Sequence, residues 1–200
     1  LTSGECGFGG KANRLLLYGE RELPFTNPRS TFPEAGYWFG TVADAWLGVR
    51  AGVVSHAGAH AHADQLSFVL SIAGRDLIID PGTGIYTADV EKRNRYRRTA
   101  AHNTPQLNDL EANRYPNGMA GLFRMSDDTQ TKVSIWETTS QQVHFKGSHH
   151  GFARERTNCL CERSIQLKNG TLNLTDQISS CLEGDRIEWT FSVAPGTRIN

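Results

Sequence analysis

The chain has 200 residues, with 21 Lys and Arg against 21 Asp and Glu, and 38% of it is hydrophobic. A formal net charge of zero argues against a general nucleic-acid binder, which needs a basic footprint. The longest apolar runs, Leu15–Leu17 and Leu77–Ile79, fall far short of the roughly 18–20 residues that span a bilayer. No basic start leads into an apolar stretch, so no signal peptide is read here. With Leu1 in place of Met, the first residue reads as an internal boundary of a longer protein.

In chain order, Leu1 to Arg29 mixes Gly-rich sequence with one helix-compatible stretch, Lys11–Glu20. Pro24, Pro28 and Pro33 then read as a linker, so residues 1–30 are expected to be a linker or the end of a helical domain. From there the period changes to two. Tyr37–Thr41, Ala45–Arg50, Leu66–Ile72 and Leu77–Asp80 are rich in aromatic and β-branched residues and read as strands, with a tight turn at Ala73-Gly74-Arg75. A long irregular stretch follows from Pro81 to about Asn117, and such loops are usually functional. Strands resume over Thr131–Thr138, Gln142–Lys146, Arg156–Leu167, Thr171–Ile178 and Arg186–Val193. Lys168-Asn169-Gly170 predicts a hairpin, because Asn-Gly supplies the positive φ angles of a type I′ turn, and Glu183-Gly184-Asp185 predicts a second turn. Helix signals are nearly absent after residue 20. The expected fold is all-β, an antiparallel sandwich over residues 31–200.

Cys6, Cys159, Cys161 and Cys181 are too few for a disulfide scaffold and lack zinc-finger spacing. They read as buried or free thiols, with a bridge from Cys181 to Cys159 or Cys161 as the oxidised alternative. The sequons at Asn169 and Asn173 read as turn and strand chemistry.

Candidate chemistry falls in four places. In His60-Ala61-His62-Ala63-Asp64 a strand would put both His and the Asp on one face, with small Ala neighbours leaving room for a ligand. Two His at that spacing can chelate one metal, with a carboxylate from elsewhere completing the site; the plain alternative is a satisfied surface His pair. Asp80 ends an apolar strand and opens a Pro-Gly turn, where it is either an Asx-turn residue or a rim carboxylate. His102, in Ala101-His102-Asn103-Thr104, lies on the long loop. If His62, Asp80 and His102 converge, they make a donor set suited to zinc. Lys92-Arg93-Asn94-Arg95-Tyr96-Arg97-Arg98 concentrates five basic residues. It reads either as a solvated loop or as an anion site offering Arg forks to carboxylate or sulfate. Tyr86, Tyr96 and Tyr115 suit sugar stacking or acid–base work, or else plain packing.

Three ordered blocks carry a family resemblance. His60-Ala61-His62-Ala63-Asp64-Gln65-Leu66-Ser67-Phe68, Asp80-Pro81-Gly82-Thr83-Gly84-Ile85-Tyr86 and Arg98-Thr99-Ala100-Ala101-His102-Asn103-Thr104 resemble the heparinase II/III-like polysaccharide lyases. Phe32-Pro33-Glu34-Ala35-Gly36-Tyr37 also looks like that family's entry into its first sandwich strands. The resemblance implies an α/α toroid before antiparallel sandwich layers, and β-elimination at a uronic acid of an acidic polysaccharide such as a glycosaminoglycan or alginate. It further implies that His60 is an active-site His, that His62, Asp80 and His102 hold zinc or another divalent metal, and that Tyr86 lines the same cleft. Arg93, Arg95, Arg97 and Arg98 would face the anionic substrate. The resemblance also implies that the family's catalytic Tyr, and the Asn or Glu/His groups that neutralise the uronate carboxylate, come from the toroid; these are not in this sequence, so the chain reads as holding half of an active site. A periplasmic or secreted parent is expected. Two other readings stand beside this one: a non-catalytic carbohydrate-binding or structural domain, and a metal hydrolase in which His60 is a fourth ligand.

Overall fold

Alternating apolar residues build two antiparallel sheets that bury one face against each other. The computed structural model describes residues 30–54 and 56–198. The first sheet is a five-stranded meander of β1 (Ser30–Phe32), β2 (Tyr37–Val42), β3 (Ala45–Arg50), β4 (Ser67–Ile72) and β5 (Arg75–Ile78), in that order. The chain then runs through α1 (Val90–Arg97) and β6 (Pro105–Leu107). The second sheet contains β7 (Lys132–Thr138), β8 (Gln142–His149), β9 (Cys161–Lys168) and β10 (Thr171–Ile178), in the order β10-β9-β8-β7. A last short strand, β11 (Ile187–Trp189), pairs with β6.

The core sits between the two sheets. Leu47, Val49, Phe68 and Leu70 meet Val143, Phe145, Ile165 and Leu167, all buried. Trp38 and Trp136 close one end with ring centroids 5.8 Å apart. The sheets approach closely at Gly40, where a Cβ would lie 2.9 Å from the Val143 side chain; only glycine leaves room there. The turns follow the sequence. Asn169 and Gly170 have φ of 51° and 71° between paired Lys168 and Thr171, and Ala73 and Gly74 have φ of 50° and 71° between paired Ile72 and Arg75.

Several expectations are corrected. The Pro81–Asn117 stretch is not structureless: it contains α1 and β6. The α1 helix shows no apolar stripe because its buried residues are Arg93 and Arg97, four apart, in place of aliphatics. Its signals are polar ones. Asp89 caps it by accepting from Lys92 N–H at 2.9 Å, Glu91 lies in the first turn, and Arg95 and Arg97 lie in the last, as the helix dipole favours. The strand expected from Arg156 begins only at Cys161, after a run of turns. Cys159, Cys161 and Cys181 are free thiols. The expected helix at Lys11–Glu20 and Cys6 lie outside the described residues.

Candidate metal centre and its rim

The His-x-His segment is not a strand. A short 3-10 turn at His56–Gly58 and further turns lead to Leu66, and β4 begins only at Ser67. Because the segment turns and is not extended, the two side chains part. His60 is exposed at the rim, while His62 is turned inward. Asp64 is drawn away from both, 3.7 Å from the buried Arg50 guanidinium.

His62, Asp80 and His102 come together from three segments, and their candidate ligand atoms all lie within 4.8 Å of one another. The His62 and His102 rings are 5.1 Å apart at 35°. Asp80 follows β5, and its Oδ1 accepts the Gly82 N–H at 2.8 Å, the Asx turn that is one of the two readings of this residue. Its Oδ2 accepts from His102 Nδ1 at 2.7 Å. His102 is fully buried.

The electrostatics follow from this packing. Burial, and next the facing His102 ring, lower the His62 pKa to about 3 against an opposing pull from Asp80. His62 is therefore a neutral imidazole at physiological pH, the form that ligates metals. Burial works to raise the Asp80 carboxyl, but the His102 hydrogen bond and charge outweigh it and hold Asp80 below the usual range. Burial works to lower His102, and the same Asp80 contacts overcome it and raise it. His102 Nε2 is left buried with no hydrogen-bond partner. An orphaned buried ring nitrogen is costly, and a metal ion would satisfy it. Two imidazoles and one carboxylate form a set that zinc accepts, so these residues fit the implied group.

At the rim, His60 Nδ1 lies 3.5 Å from the Tyr86 hydroxyl, a long contact. Phe123 packs against both rings, 6.3 Å from His60 and 6.1 Å from Tyr86. Arg93 lies over Tyr86 and Phe123 at 5.0 and 4.7 Å and donates to the Leu122 carbonyl at 3.0 Å. Phe123 was not anticipated, and its irregular surroundings carry no periodic signal.

The basic run does not act as one patch. Arg93 and Arg97 are each 1% exposed. Arg97 donates to the carbonyls of Gly121, Leu122 and Arg124 at 2.8, 3.1 and 3.2 Å, and lies 4.2 Å over Tyr115. The expectation that Arg93 and Arg97 face substrate therefore does not match their geometry, since their forks are committed to loop backbone. Arg95 and Arg98 are exposed. Arg95 lines a cavity of about 490 Å³ with Lys92, Tyr96, Pro81 and Ala101, where Asp89 and Glu91 offset the positive charge. Gly84 is required beside it, because a Cβ there would meet the Tyr96 ring at 2.4 Å with φ at +66°.

The long loop of this antiparallel sandwich thus folds back to set His62, Asp80 and His102 together beneath an exposed His60 and a half-buried Tyr86. The chain belongs to the family described as heparinase II/III-like, C-terminal, whose family model matches residues 25–200. Solved structures share the fold. A chain described as "Heparinase III-BT4657 gene product" is 17% identical with a TM-score of 0.69, covering 96% of this chain and 28% of its own. Heparan sulfate lyase HepC from Pedobacter heparinus is 20% identical with a TM-score of 0.57, covering 76% of this chain and 22% of its own. A further heparinase III is 20% identical with a TM-score of 0.61, covering 86% and 25%. The chain thus spans about a quarter of the solved chains it matches. A sequence comparison with curated proteins finds no match. Among the described residues no helix is long and apolar enough to cross a membrane.

Proposed function

We propose that this chain is the C-terminal sandwich portion of a polysaccharide lyase, acting by β-elimination on a uronic-acid-containing acidic polysaccharide. It would work beside a helical toroid, in a periplasmic or secreted parent. The observation that carries this reading is the split within the His-x-His pair: His60 at the exposed rim beside Tyr86, His62 buried against Asp80 and His102. His60 lies outside the cluster of candidate ligands, which speaks against a hydrolase with His60 as a fourth ligand.

The chemistry asks for a proton to leave C5 of a uronate and for one to reach the departing glycosidic oxygen. An exposed imidazole suits the first kind of transfer, and a neighbouring phenol suits the second. Phe123 and Arg93 hold the Tyr86 ring from behind, so its hydroxyl keeps its orientation to His60. His62, Asp80 and His102 would hold zinc or another divalent ion, which when bound ties three segments together and so fixes the rim above them. Lys92, Arg95 and Arg98 are the exposed members of the basic run that remain for a polyanion.

The test is ultraviolet absorbance of unsaturated uronate product from the parent protein on heparan sulfate and other acidic glycans. His60→Ala is expected to abolish the absorbance rise while the melting temperature holds. Glycan binding without any rise in absorbance, unaffected by His60→Ala, would instead mark a non-catalytic carbohydrate-binding domain.

A further inference from the structure

Arg163, on β9 of the second sheet, is fully buried. Its Nε and Nη2 donate to the two carboxylate oxygens of its cross-strand partner Asp176 at 2.7 and 2.8 Å. Its remaining nitrogen, Nη1, donates to the Leu66 carbonyl at 2.9 Å and to the Asn103 carbonyl in a short bond. Leu66 ends the segment that carries His62, and Asn103 follows His102 directly. Asn103 extends the connection to the third ligand segment, because its Nδ2 donates to the carbonyls of Phe68 and Ile79, both at 2.8 Å, and Ile79 precedes Asp80. Leu66 also holds φ at 64°, a left-handed conformation that a leucine keeps only where its surroundings impose it.

From this geometry we infer that Arg163 is a positioning residue for the metal centre, its fork anchored on Asp176 while Nη1 locks the His62 and His102 segments together and, through Asn103, Asp80. The inference rests on the metal reading above. It requires arginine: the planar guanidinium reaches a carboxylate and two carbonyls at once, whereas a lysine ammonium is a point donor. The site therefore depends on an ion pair in the opposite sheet, which no ligand spacing in the sequence displays.

The test compares wild type, Arg163→Lys and the double variant Arg163→Met/Asp176→Leu. Each is measured for zinc Kd, by competition with a chromophoric chelator, and for melting temperature without metal. The double variant removes both charges, and buried pairs replaced by apolar residues often keep stability. A weakening of zinc binding of about 10–100-fold is expected in both variants, the range for outer partners of metal ligands. A metal-free melt close to wild type in the double variant would support positioning over general support. Zinc Kd equal to wild type overturns the inference whatever the melting temperature does. Arg163→Lys, which keeps a cation beside Asp176, carries the test alone if the double variant does not fold. Wild type without zinc affinity would overturn the metal reading and this inference together; wild-type binding with unchanged variants overturns only this inference.

Discussion

Arg97→Met is the substitution that best separates a brace from a substrate contact. The change keeps an unbranched side chain of similar reach and removes the guanidinium. Three loop carbonyls lose their donor, and the Tyr115 ring loses its cation. Hydrogen bonds to a charged donor contribute about 1.5–3 kcal/mol each, and bonds sharing one group do not add fully. A net loss of about 3–5 kcal/mol follows. In a domain of this size each kcal/mol lowers Tm by roughly 2–4 °C, so a fall of roughly 6–20 °C is expected. Thermal unfolding by circular dichroism measures it, alongside heparin affinity. An unchanged melt with weakened affinity for an acidic glycan would refute the brace and restore Arg97 as a substrate contact.

Chelation should lower the melting temperature, since a metal bound only to the native state stabilises it by about 2.7 kcal/mol at 100 times its Kd; an identical melt with and without chelator would count against a tight metal. Acid should destabilise the fold through His149. Burial, then the neighbouring His150, lowers its pKa to about 3 from 6.5. The unfolded chain thus binds a proton that the folded chain refuses. Stability is complete above pH 6.5 and falls as pH drops toward 3, at up to about 1.4 kcal/mol per unit. His149→Leu should flatten that slope in urea titrations, and an unaltered slope would show that other groups set it. Burial raises the Cys159 thiol and pushes Cys161 up to about 12, while Cys181 is exposed. Peptide mapping after alkylation at pH 8 should find Cys181 labelled and Cys159 and Cys161 protected until denaturant is added; labelling of Cys161 in the native protein would contradict its burial.

The sheets were legible in the sequence because period-two alternation reports directly which residues face a core. The hairpin at Asn169-Gly170 was legible for a similar reason, since its φ angles demand those residues. The α1 helix was not legible, because its inward face is Arg93 and Arg97, whose burial depends on carbonyls some 25 residues away in sequence. The three ligand candidates could be named, and grouped as a donor set on the condition that they converge, and a family resemblance implied the same set. Their convergence depends on Asn103 and Arg163, bonds across 24 to 97 residues that no local pattern encodes. The same long-range folding splits His60 from His62, which a simple strand would have left side by side.

The most direct test of the account is zinc stoichiometry by equilibrium dialysis and elemental analysis on wild type and on His60→Ala, His62→Ala, Asp80→Ala and His102→Ala. One zinc per chain is expected in wild type and in His60→Ala, and loss of zinc in His62→Ala, Asp80→Ala and His102→Ala. Loss in His60→Ala as severe as in His62→Ala would contradict it, because the rim histidine would then belong to the metal and not to the substrate.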